Sequence, residues 1–279
     1  MKTIMKLFLL SILTLILAGC AAPTFTSAPT QESTDESAGT TELTIFAASS
    51  LADAFNEMGT QFEAEHPGVT MTFNYGSSSQ LATQLTEGAP ADIFASANSK
   101  QMQIAQDAGR IEGDPQIFLT NKLVVIVPSD NPAGIQTLAD LAKPGVKLVV
   151  AAAGVPVRDY TDQMLEKLVS DSSYGQAYSD AFYKNVVSEE DNVRQVAAKI
   201  ALGEGDAALV YTSDVTPDIE SQVMQIEVPD EFNVVASYPI AQIKDSEHAD
   251  LVAAFIEYVL SADGQVILAK WGFGPAPAK

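Results

Sequence analysis

Residues 43–51 are Leu43-Thr44-Ile45-Phe46-Ala47-Ala48-Ser49-Ser50-Leu51, in which a short apolar strand is followed by two serines and then by a predicted helix. The helix is indicated by apolar residues at helical spacing, namely Leu51, Ala54, Phe55, Met58 and Phe62. A strand that is followed at once by a helix is typical of α/β folds.

The same alternation continues along the chain. Strands are predicted at residues 69–75, 91–95, 123–127, 147–152, 207–211, 222–228 and 232–238, and helices from Leu81 and at residues 160–168, 193–202 and 251–260. The strands at 123–127 and 147–152 are continuously apolar, as strands buried on both faces are. The sequence therefore predicts an α/β fold with largely parallel sheets.

Four predicted strand-to-helix junctions are rich in hydroxyls or free amides, at residues 48–50, 76–79, 154–160 and 190–193. In open α/β sheets ligands bind beyond the carboxyl ends of the strands, where N–H groups of helix N-termini attract anions. A serine at one such junction can simply cap its own helix, but four junctions together favour a ligand site. Because the first two junctions contain no Lys or Arg, the predicted ligand is an anion held by neutral donors.

The composition excludes several functions. The chain of 279 residues carries 36 acidic and 15 basic residues, a net charge of −21, and this deficit of cations argues against nucleic-acid binding. One Cys and two His, far apart, argue against a zinc or iron–sulfur site, so we expect no metal ligands and no cofactor. The single Cys also excludes a disulfide within the chain. The length and the 47% hydrophobic content predict one or two domains with a real core.

Residues 1–19 have the features of a secretory signal peptide. Lys2 and Lys6 precede the apolar stretch Leu7–Leu17, which is too short to span a membrane. The stretch ends in Leu17-Ala18-Gly19-Cys20, which resembles the lipobox of bacterial lipoproteins and implies cleavage before Cys20 and lipidation of its thiol. The alternative is a secreted protein with a free Cys. Residues 20–41 are predicted to be a flexible tether, because 12 of the residues 21–41 are Ser, Thr, Pro or Gly.

Seven segments, in this order and spacing, carry a resemblance to a known family: Phe46–Leu51, Tyr75–Ala82, Gly88–Ala97, Asn121–Val125, Glu190–Arg194, Leu209–Asp214 and Trp271–Phe273. Together they resemble the molybdate-binding proteins of bacterial ABC transporters over residues 43–275. The resemblance implies a two-lobed type II periplasmic binding protein fold, each lobe a largely parallel sheet flanked by helices. Lobe one would comprise residues 42–122 and 240–279, and lobe two residues 123–239.

The resemblance also implies a function outside the cytoplasmic membrane. The protein would be a solute-binding lipoprotein, anchored through Cys20, that captures molybdate or tungstate. It would deliver the anion to a membrane permease and its ATPase, act as a monomer, and catalyse no reaction.

Five positions match the family's oxyanion contacts. Ser50 and Ser78 would each donate a hydroxyl and an amide, Val157 and Val193 would donate only their backbone amides, and Tyr211 would donate its hydroxyl. These seven neutral donors would surround a tetrahedral dianion, in agreement with the anion site predicted from the junctions.

One segment departs from the family pattern, which has a Pro, a small residue and a Gly before the helix of lobe two. Here the segment is Pro156-Val157-Arg158-Asp159-Tyr160. Arg158 either points to solvent or pairs with Asp159, or it adds a charged contact that changes the choice of anion.

The sequence also bears on three alternative functions. A serine hydrolase would need a nucleophile elbow of the Gly-x-Ser-x-Gly type, which the sequence lacks, and both His66 and His248 are predicted to be solvated. A structural lipoprotein of the same fold would not need the hydroxyls at the junctions. Within the binding class, sulfate or another tetrahedral oxyanion is the main alternative, whereas phosphate calls for an acidic acceptor that neither serine loop contains.

Overall fold

A computed structural model describes residues 40–277. The predicted signal peptide, Cys20 and the tether up to residue 39 lie outside the described residues. The final residue of the predicted tether, Thr41, is the first residue of a strand: its amide donates to the Gly68 carbonyl at 2.7 Å. That strand therefore begins one residue before the predicted boundary of lobe one.

Eleven strands and eight α-helices are formed within residues 40–277. The strands are β1 (Thr41–Ala48), β2 (Val69–Gly76), β3 (Ile93–Ala95), β4 (Ile111–Asn121), β5 (Leu123–Pro128), β6 (Leu148–Ala151), β7 (Val186–Glu190), β8 (Ala207–Tyr211), β9 (Val223–Glu227), β10 (Ala236–Ile243) and β11 (Gly274–Pro275). The helices are α1 (Ala52–Glu65), α2 (Ser78–Thr86), α3 (Ser99–Asp107), α4 (Pro156–Ser170), α5 (Gly175–Lys184), α6 (Val193–Ala201), α7 (Ala249–Leu260) and α8 (Ala262–Lys270). Short 3-10 turns cover Ser49–Leu51, Leu138–Ala142 and Thr212–Asp214.

The strands form two sheets. The first has the order β11-β4-β10-β3-β1-β2, and the second has the order β7-β6-β8-β5-β9. β1 pairs in parallel with β2 and β3, and β6 pairs in parallel with β7 and β8. The α/β class with two sheets flanked by helices is confirmed.

The strand pairing is mixed rather than largely parallel, which corrects the prediction. The chain passes between the sheets at Lys122, between β4 and β5, and again through residues 228–235, between β9 and β10. β5 and β10, the strands that begin after these crossings, run antiparallel to both of their neighbours. The predicted lobe boundaries remain a prediction, and β10 already belongs to the first sheet from Ala236 onward, before the predicted boundary at residue 240.

Helix starts are set by side chains that cap them. Ser77, Asn98 and Asn192 accept hydrogen bonds from the backbone amides of Gln80, Gln101 and Gln195, at the starts of α2, α3 and α6. Helix α4 starts at Pro156, whose fixed φ and missing N–H suit the first helical position. These four helices follow β2, β3, β6 and β7, so their N-termini are fixed near the carboxyl ends of those strands.

An aromatic cluster secures α1 against the first sheet. Phe55 is fully buried and packs edge-to-face on Phe255 of α7, with ring centroids 6.0 Å apart. It also packs on Phe118 of β4 at 5.9 Å, with the two rings tilted by 49°. Phe62, which lies two helical turns after Phe55 in α1, also packs edge-to-face on Phe255, with ring centroids 5.3 Å apart. Aromatic pairs of this geometry add stability beyond their buried area, so the loop that precedes α1 is held on a rigid base.

No single helix within residues 40–277 is long and apolar enough to cross a membrane. Helices α7 and α8 reach that length and composition only as a pair, with a bend of 62° between them. Val252, Phe255 and Val259 of α7 are buried in the core, so the apolar face of that helix is used for packing.

Candidate functional site

The five residues predicted to contact an anion line one small cavity. Its lining residues are Ala48, Ser49, Ser50, Gly76, Ser77, Ser78, Ala97, Val155, Pro156, Val157, Val193 and Tyr211. They come from the carboxyl ends of strands in both sheets and from the first turns of the helices that follow. Every lining residue is uncharged, so an anion in this cavity would be held by dipoles and hydrogen bonds alone.

Backbone amides are the first group of donors. Ser78 and Val193 are the first residues of α2 and α6, and Val157 is the second residue of α4. Amides in the first turn of a helix have no carbonyl partner within that helix, and they carry the positive end of its dipole. Three helix N-termini therefore meet at one cavity, as expected for a site that binds an anion.

The Ser78 hydroxyl is oriented by a backbone amide. Ser78 is fully buried, and its Oγ accepts a hydrogen bond from the Ala97 N–H at 2.9 Å. Because the amide supplies the proton in that bond, the hydroxyl proton of Ser78 is left to be donated elsewhere. Ala97 also lines the cavity, so the Ser78 hydroxyl is fixed at the cavity wall as a donor.

The Tyr211 hydroxyl is a buried polar group that has no hydrogen-bond partner in the described part of the chain. Tyr211 ends β8 and is 1% exposed. Burial raises the pKa of Tyr211 well above its usual value, so the hydroxyl keeps its proton at neutral pH. A buried hydroxyl without a partner is costly, so this hydroxyl is available as a donor to a ligand in the cavity that Tyr211 lines.

Ser50 is held from both sides of the cleft between the sheets. Its Oγ lies 3.0 Å from Tyr238 Oη of β10, and its carbonyl accepts a hydrogen bond from Arg194 Nη2 at 3.1 Å. Arg194 lies in the first turn of α6, next to Val193, so one side chain connects two of the segments that line the cavity. The loop after β1 is thereby tied to α6.

A cluster of three charged residues surrounds this connection. Arg194 Nη2 lies 2.8 Å from Asp53 Oδ2, and Arg194 Nε lies 3.0 Å from Asp214 Oδ1. Asp214 is fully buried, and it also accepts a hydrogen bond from the Tyr211 amide at 3.0 Å. Burial raises the pKa of Asp214 to about 6, although the Arg194 guanidinium opposes that shift. None of the three residues lines the cavity.

The raised pKa of Asp214 predicts a specific dependence of stability on pH. Unfolding lowers this pKa from about 6 to near 3.8, so the folded state binds the extra proton between these pH values. The stabilisation that comes from this proton on Asp214 is present at low pH and is lost as the pH rises through 6. We expect the unfolding free energy of the wild type, relative to Asp214→Asn, to fall by up to about 3 kcal/mol between pH 4 and pH 7. Urea unfolding at several pH values measures this difference, and a constant difference would contradict the prediction.

Arg158 points away from the cavity. Its Nε lies 2.8 Å from Asp162 Oδ1, and its Nη1 lies 2.9 Å from Glu189 Oε1 and 3.2 Å from the Ala151 carbonyl. The predicted pair with Asp159 is wrong, because Asp159 instead pairs with Lys100 at 3.0 Å. The prediction that Arg158 points to solvent is wrong as well, since its side chain is only 13% exposed. The alternative of a charged contact in the site is not supported, because Arg158 does not line the cavity.

Replacing Arg158 with Ala is therefore expected to leave anion affinity within about twofold of the wild type, since the guanidinium contributes no donor to the cavity. Calorimetric titration of both proteins with molybdate checks this. A large loss of affinity, or a change in the preferred anion, would show that Arg158 acts on the ligand.

Neither histidine contributes to the cavity. His66 is half-buried, stacks on Phe62 with ring centroids 3.9 Å apart, and places Nδ1 2.9 Å from the Phe62 carbonyl. His248 is half-buried at the start of α7. The prediction that both are solvated is only partly right, but a serine–histidine pair at Ser50 or Ser78 is not formed. Among the described residues, no group of three or more His, Cys, Asp or Glu could hold a metal ion.

Four residues around the site were not predicted as contributors: Ala97, Asn121, Arg194 and Tyr238. Ala97 and Arg194 lie in segments that carry the family resemblance, but neither has a side chain that reaches the cavity as a donor. Tyr238 lies far along the chain from the four junctions, and only the position of β10 between β3 and β4 brings it behind Ser50. No sequence signal pointed to it.

Comparisons with known proteins show the family to which this chain belongs. The family model of bacterial extracellular solute-binding proteins matches residues 43–274. The molybdate-binding protein ModA of Mycobacterium bovis is 38% identical over 235 residues, which cover 84% of this chain and 85% of that protein. A Bacillus subtilis protein, provisionally named as the ABC transporter substrate-binding lipoprotein YvgL, is 30% identical over 93% of each chain.

Among solved structures, the sulfate-binding protein SubI of Mycobacterium tuberculosis H37Rv aligns with a TM-score of 0.76. The alignment covers 84% of this chain and 87% of that chain at 20% identity, so it shows a shared fold alone. The family model and the 38% identity to the mycobacterial protein show family membership in addition to a shared fold. This chain belongs to the bacterial extracellular solute-binding protein family and is a homologue of its molybdate-binding members.

Proposed function

We propose that this protein captures molybdate, and also tungstate, outside the cytoplasmic membrane and delivers the anion to an ABC importer. The observation that carries the proposal is the number of uncharged hydrogen-bond donors that meet at one cavity. Three buried hydroxyls, on Ser50, Ser78 and Tyr211, and the first-turn amides of three helices meet at one cavity lined by uncharged residues. A fully deprotonated tetrahedral anion offers acceptors in all the directions from which these donors come.

The charge state of the ligand follows from the same donors. Hydrogen phosphate carries a proton that needs an acceptor, and no carboxylate lines the cavity. The nearby Asp53 and Asp214 are occupied by Arg194. Molybdate, tungstate and sulfate are dianions without a proton at neutral pH, so they satisfy the site without an acceptor.

The choice of molybdate over sulfate rests on the homologues. The relative with 38% identity is named as a molybdate-binding protein, whereas the likeness to the sulfate-binding protein is one of fold. Sulfate therefore remains the second candidate. Molybdate and tungstate are nearly the same size, and the neutral donors give no reason to separate them.

Binding is proposed to close the protein around the anion. Contacts already cross the cleft beside the cavity: Lys100 Nζ lies 3.0 Å from Asp159 Oδ2, and Gln101 Nε2 donates to the Gly154 carbonyl at 3.0 Å. Arg194 and Asp53 form a third contact. An anion bound by donors from both sheets would favour this closed form, which the permease would recognise.

The remaining parts of the proposal concern location and partners. Cys20 would carry a lipid anchor and the residues between Cys20 and Thr41 would serve as the tether, and the B. subtilis relative, provisionally named a lipoprotein, supports this. The partners would be a membrane permease and its cytoplasmic ATPase, and the receptor would act as a monomer. It would catalyse no reaction and need no cofactor, because its task is to bind and release.

Elemental analysis after competitive loading tests the choice of anion. The purified protein is incubated with equal excess concentrations of molybdate and sulfate, desalted, and analysed for molybdenum and for bound sulfate. We expect about one molybdenum atom per chain, displaced by added tungstate. Bound sulfate in place of molybdenum would support the second candidate. If neither anion is found on the protein, both candidates are refuted.

A further inference from the structure

The hydroxyl of Tyr238 lies behind the cavity wall and not in it. Tyr238 belongs to β10, is fully buried, and does not line the cavity. Its Oη lies 3.0 Å from Ser50 Oγ and 3.4 Å from Asn121 Nδ2, at the end of β4. Asn121 is 2% exposed. Three buried polar side chains thus form a line that ends at the cavity.

The direction of the hydrogen bonds in this line is set by Asn121. Its Oδ1 accepts from the Lys122 backbone N–H at 3.0 Å, and it also accepts from the Thr212 hydroxyl at 3.0 Å. Since an N–H can only donate, the oxygen of the amide must face Lys122, and the NH₂ group faces Tyr238. Tyr238 Oη is therefore an acceptor toward Asn121, across a long contact.

Ser50 Oγ is then the acceptor for the Tyr238 proton. In the described part of the chain, Tyr238 Oη lies at hydrogen-bond distance from Ser50 Oγ and Asn121 Nδ2, and Asn121 presents only N–H groups. The neighbouring Tyr211 hydroxyl is not at hydrogen-bond distance from any partner there, so it does not take the Tyr238 proton. Burial raises the pKa of Tyr238 well above its usual value, so its proton stays in place. With one lone pair of Ser50 Oγ occupied by Tyr238, the proton of Ser50 is free to point at the cavity.

We propose that Tyr238, oriented by Asn121, is a positioning residue that fixes the Ser50 hydroxyl as a donor to the bound oxyanion. The inference rests on the proposed function, because it needs an anion beside Ser50. It assigns to Ser50 the same arrangement that Ala97 gives to Ser78, in which a donor behind the hydroxyl leaves the hydroxyl proton for the ligand.

Replacement of Tyr238 by Phe tests the inference, with molybdate as the probe in calorimetric titration. Loss of one hydrogen bond that orients a donor is expected to weaken molybdate binding about 3- to 10-fold. The matched control is Tyr160→Phe. Tyr160 is also buried, its ring packs against Tyr211 at 6.2 Å, and its hydroxyl accepts only from the Ser237 amide at 3.4 Å. This control is expected to change affinity less than twofold.

Double-variant cycles separate positioning from a general distortion of the site. If Tyr238 acts through Ser50, Tyr238→Phe weakens molybdate affinity by less than about twofold in a Ser50→Ala background. In a Ser78→Ala background the same substitution weakens molybdate affinity as much as it does in the wild type. Equal costs in both backgrounds would overturn the inference while leaving the proposed function intact, and so would an unchanged affinity of Tyr238→Phe alone. A wild-type protein that does not bind molybdate would overturn the proposed function, and this inference with it.

Discussion

Replacing Ser78 with Ala is expected to weaken molybdate binding by about 10- to 150-fold. The hydroxyl accepts from the Ala97 amide and directs its own proton into the cavity, so the variant loses a donor to a charged acceptor. Hydrogen bonds to charged groups contribute roughly 1.5–3 kcal/mol, which corresponds to this range of affinity. The measurement is calorimetric titration with molybdate at fixed pH and ionic strength.

Two controls define what the Ser78 result means. Ser79 is the next residue, but its Oγ lies 3.2 Å from Ser77 Oγ and it does not line the cavity, so Ser79→Ala should have little effect on affinity. Val193→Ala should cost less than about threefold, because only the amide of Val193 is proposed to bind. Equal losses in Ser78→Ala and Val193→Ala would contradict the division into side-chain and backbone donors.

Replacing Arg194 with Ala is expected to lower the free energy of unfolding by about 3 kcal/mol and to weaken molybdate binding as well. The variant leaves the fully buried Asp214 and the neighbouring Asp53 without their cation, and breaking a buried ion pair from one side typically costs 3–5 kcal/mol. We expect about the lower limit because Asp214, whose pKa is already raised, can take up a proton. Binding weakens because Ser50 loses the donor that holds its carbonyl.

Arg158→Ala is the matched control for Arg194. Arg158 also contacts two carboxylates, but Asp162 and Glu189 are 41% and 53% exposed and remain hydrated after the substitution. We expect a loss of about 1 kcal/mol or less, as for other partly exposed ion pairs. Urea unfolding of both variants measures the difference. Equal losses of stability would show that the buried position of Asp214 is not what makes Arg194 important.

The local pattern of the sequence predicted the junctions that line the candidate cavity. Helix N-termini and strand ends are determined by neighbouring residues, so the apolar strands, the serine pairs and the helical stripes predict the junctions. Parallel pairing of β1 with β2 and of β6 with β7 then brings those junctions to common edges. The family resemblance added the individual positions, and all five of those positions line one cavity.

The sequence predicted less well where contacts distant along the chain decide the structure. A strand was expected at residues 232–238, but β10 begins at Ala236, because Asn233 uses its side chain to bond both backbone groups of Leu123. Strand β4 contains Gly113, Asp114 and Pro115, residues that are typical of turns, and it was missed although it pairs with β10 along much of its length. Strand β7 was missed because it alternates at a sheet edge and has no continuous apolar run.

The support behind the cavity was missed for the same reason. Tyr238 reaches Ser50 across 188 positions of sequence, and Arg194 reaches the Ser50 carbonyl across 144. No spacing or periodicity relates residues so far apart. Local sequence thus predicts the junctions that line the cavity, whereas the residues behind its wall are brought there only by the fold.

The central claim is that neutral donors in this cavity bind a fully deprotonated tetrahedral dianion. Calorimetric titration of the purified protein with molybdate, tungstate, sulfate and phosphate, at matched ionic strength and neutral pH, tests it most directly. We expect tight one-to-one binding of molybdate and tungstate, weaker binding of sulfate, and the weakest binding of phosphate. Phosphate bound as tightly as molybdate, or no binding of any of the four, would contradict the account.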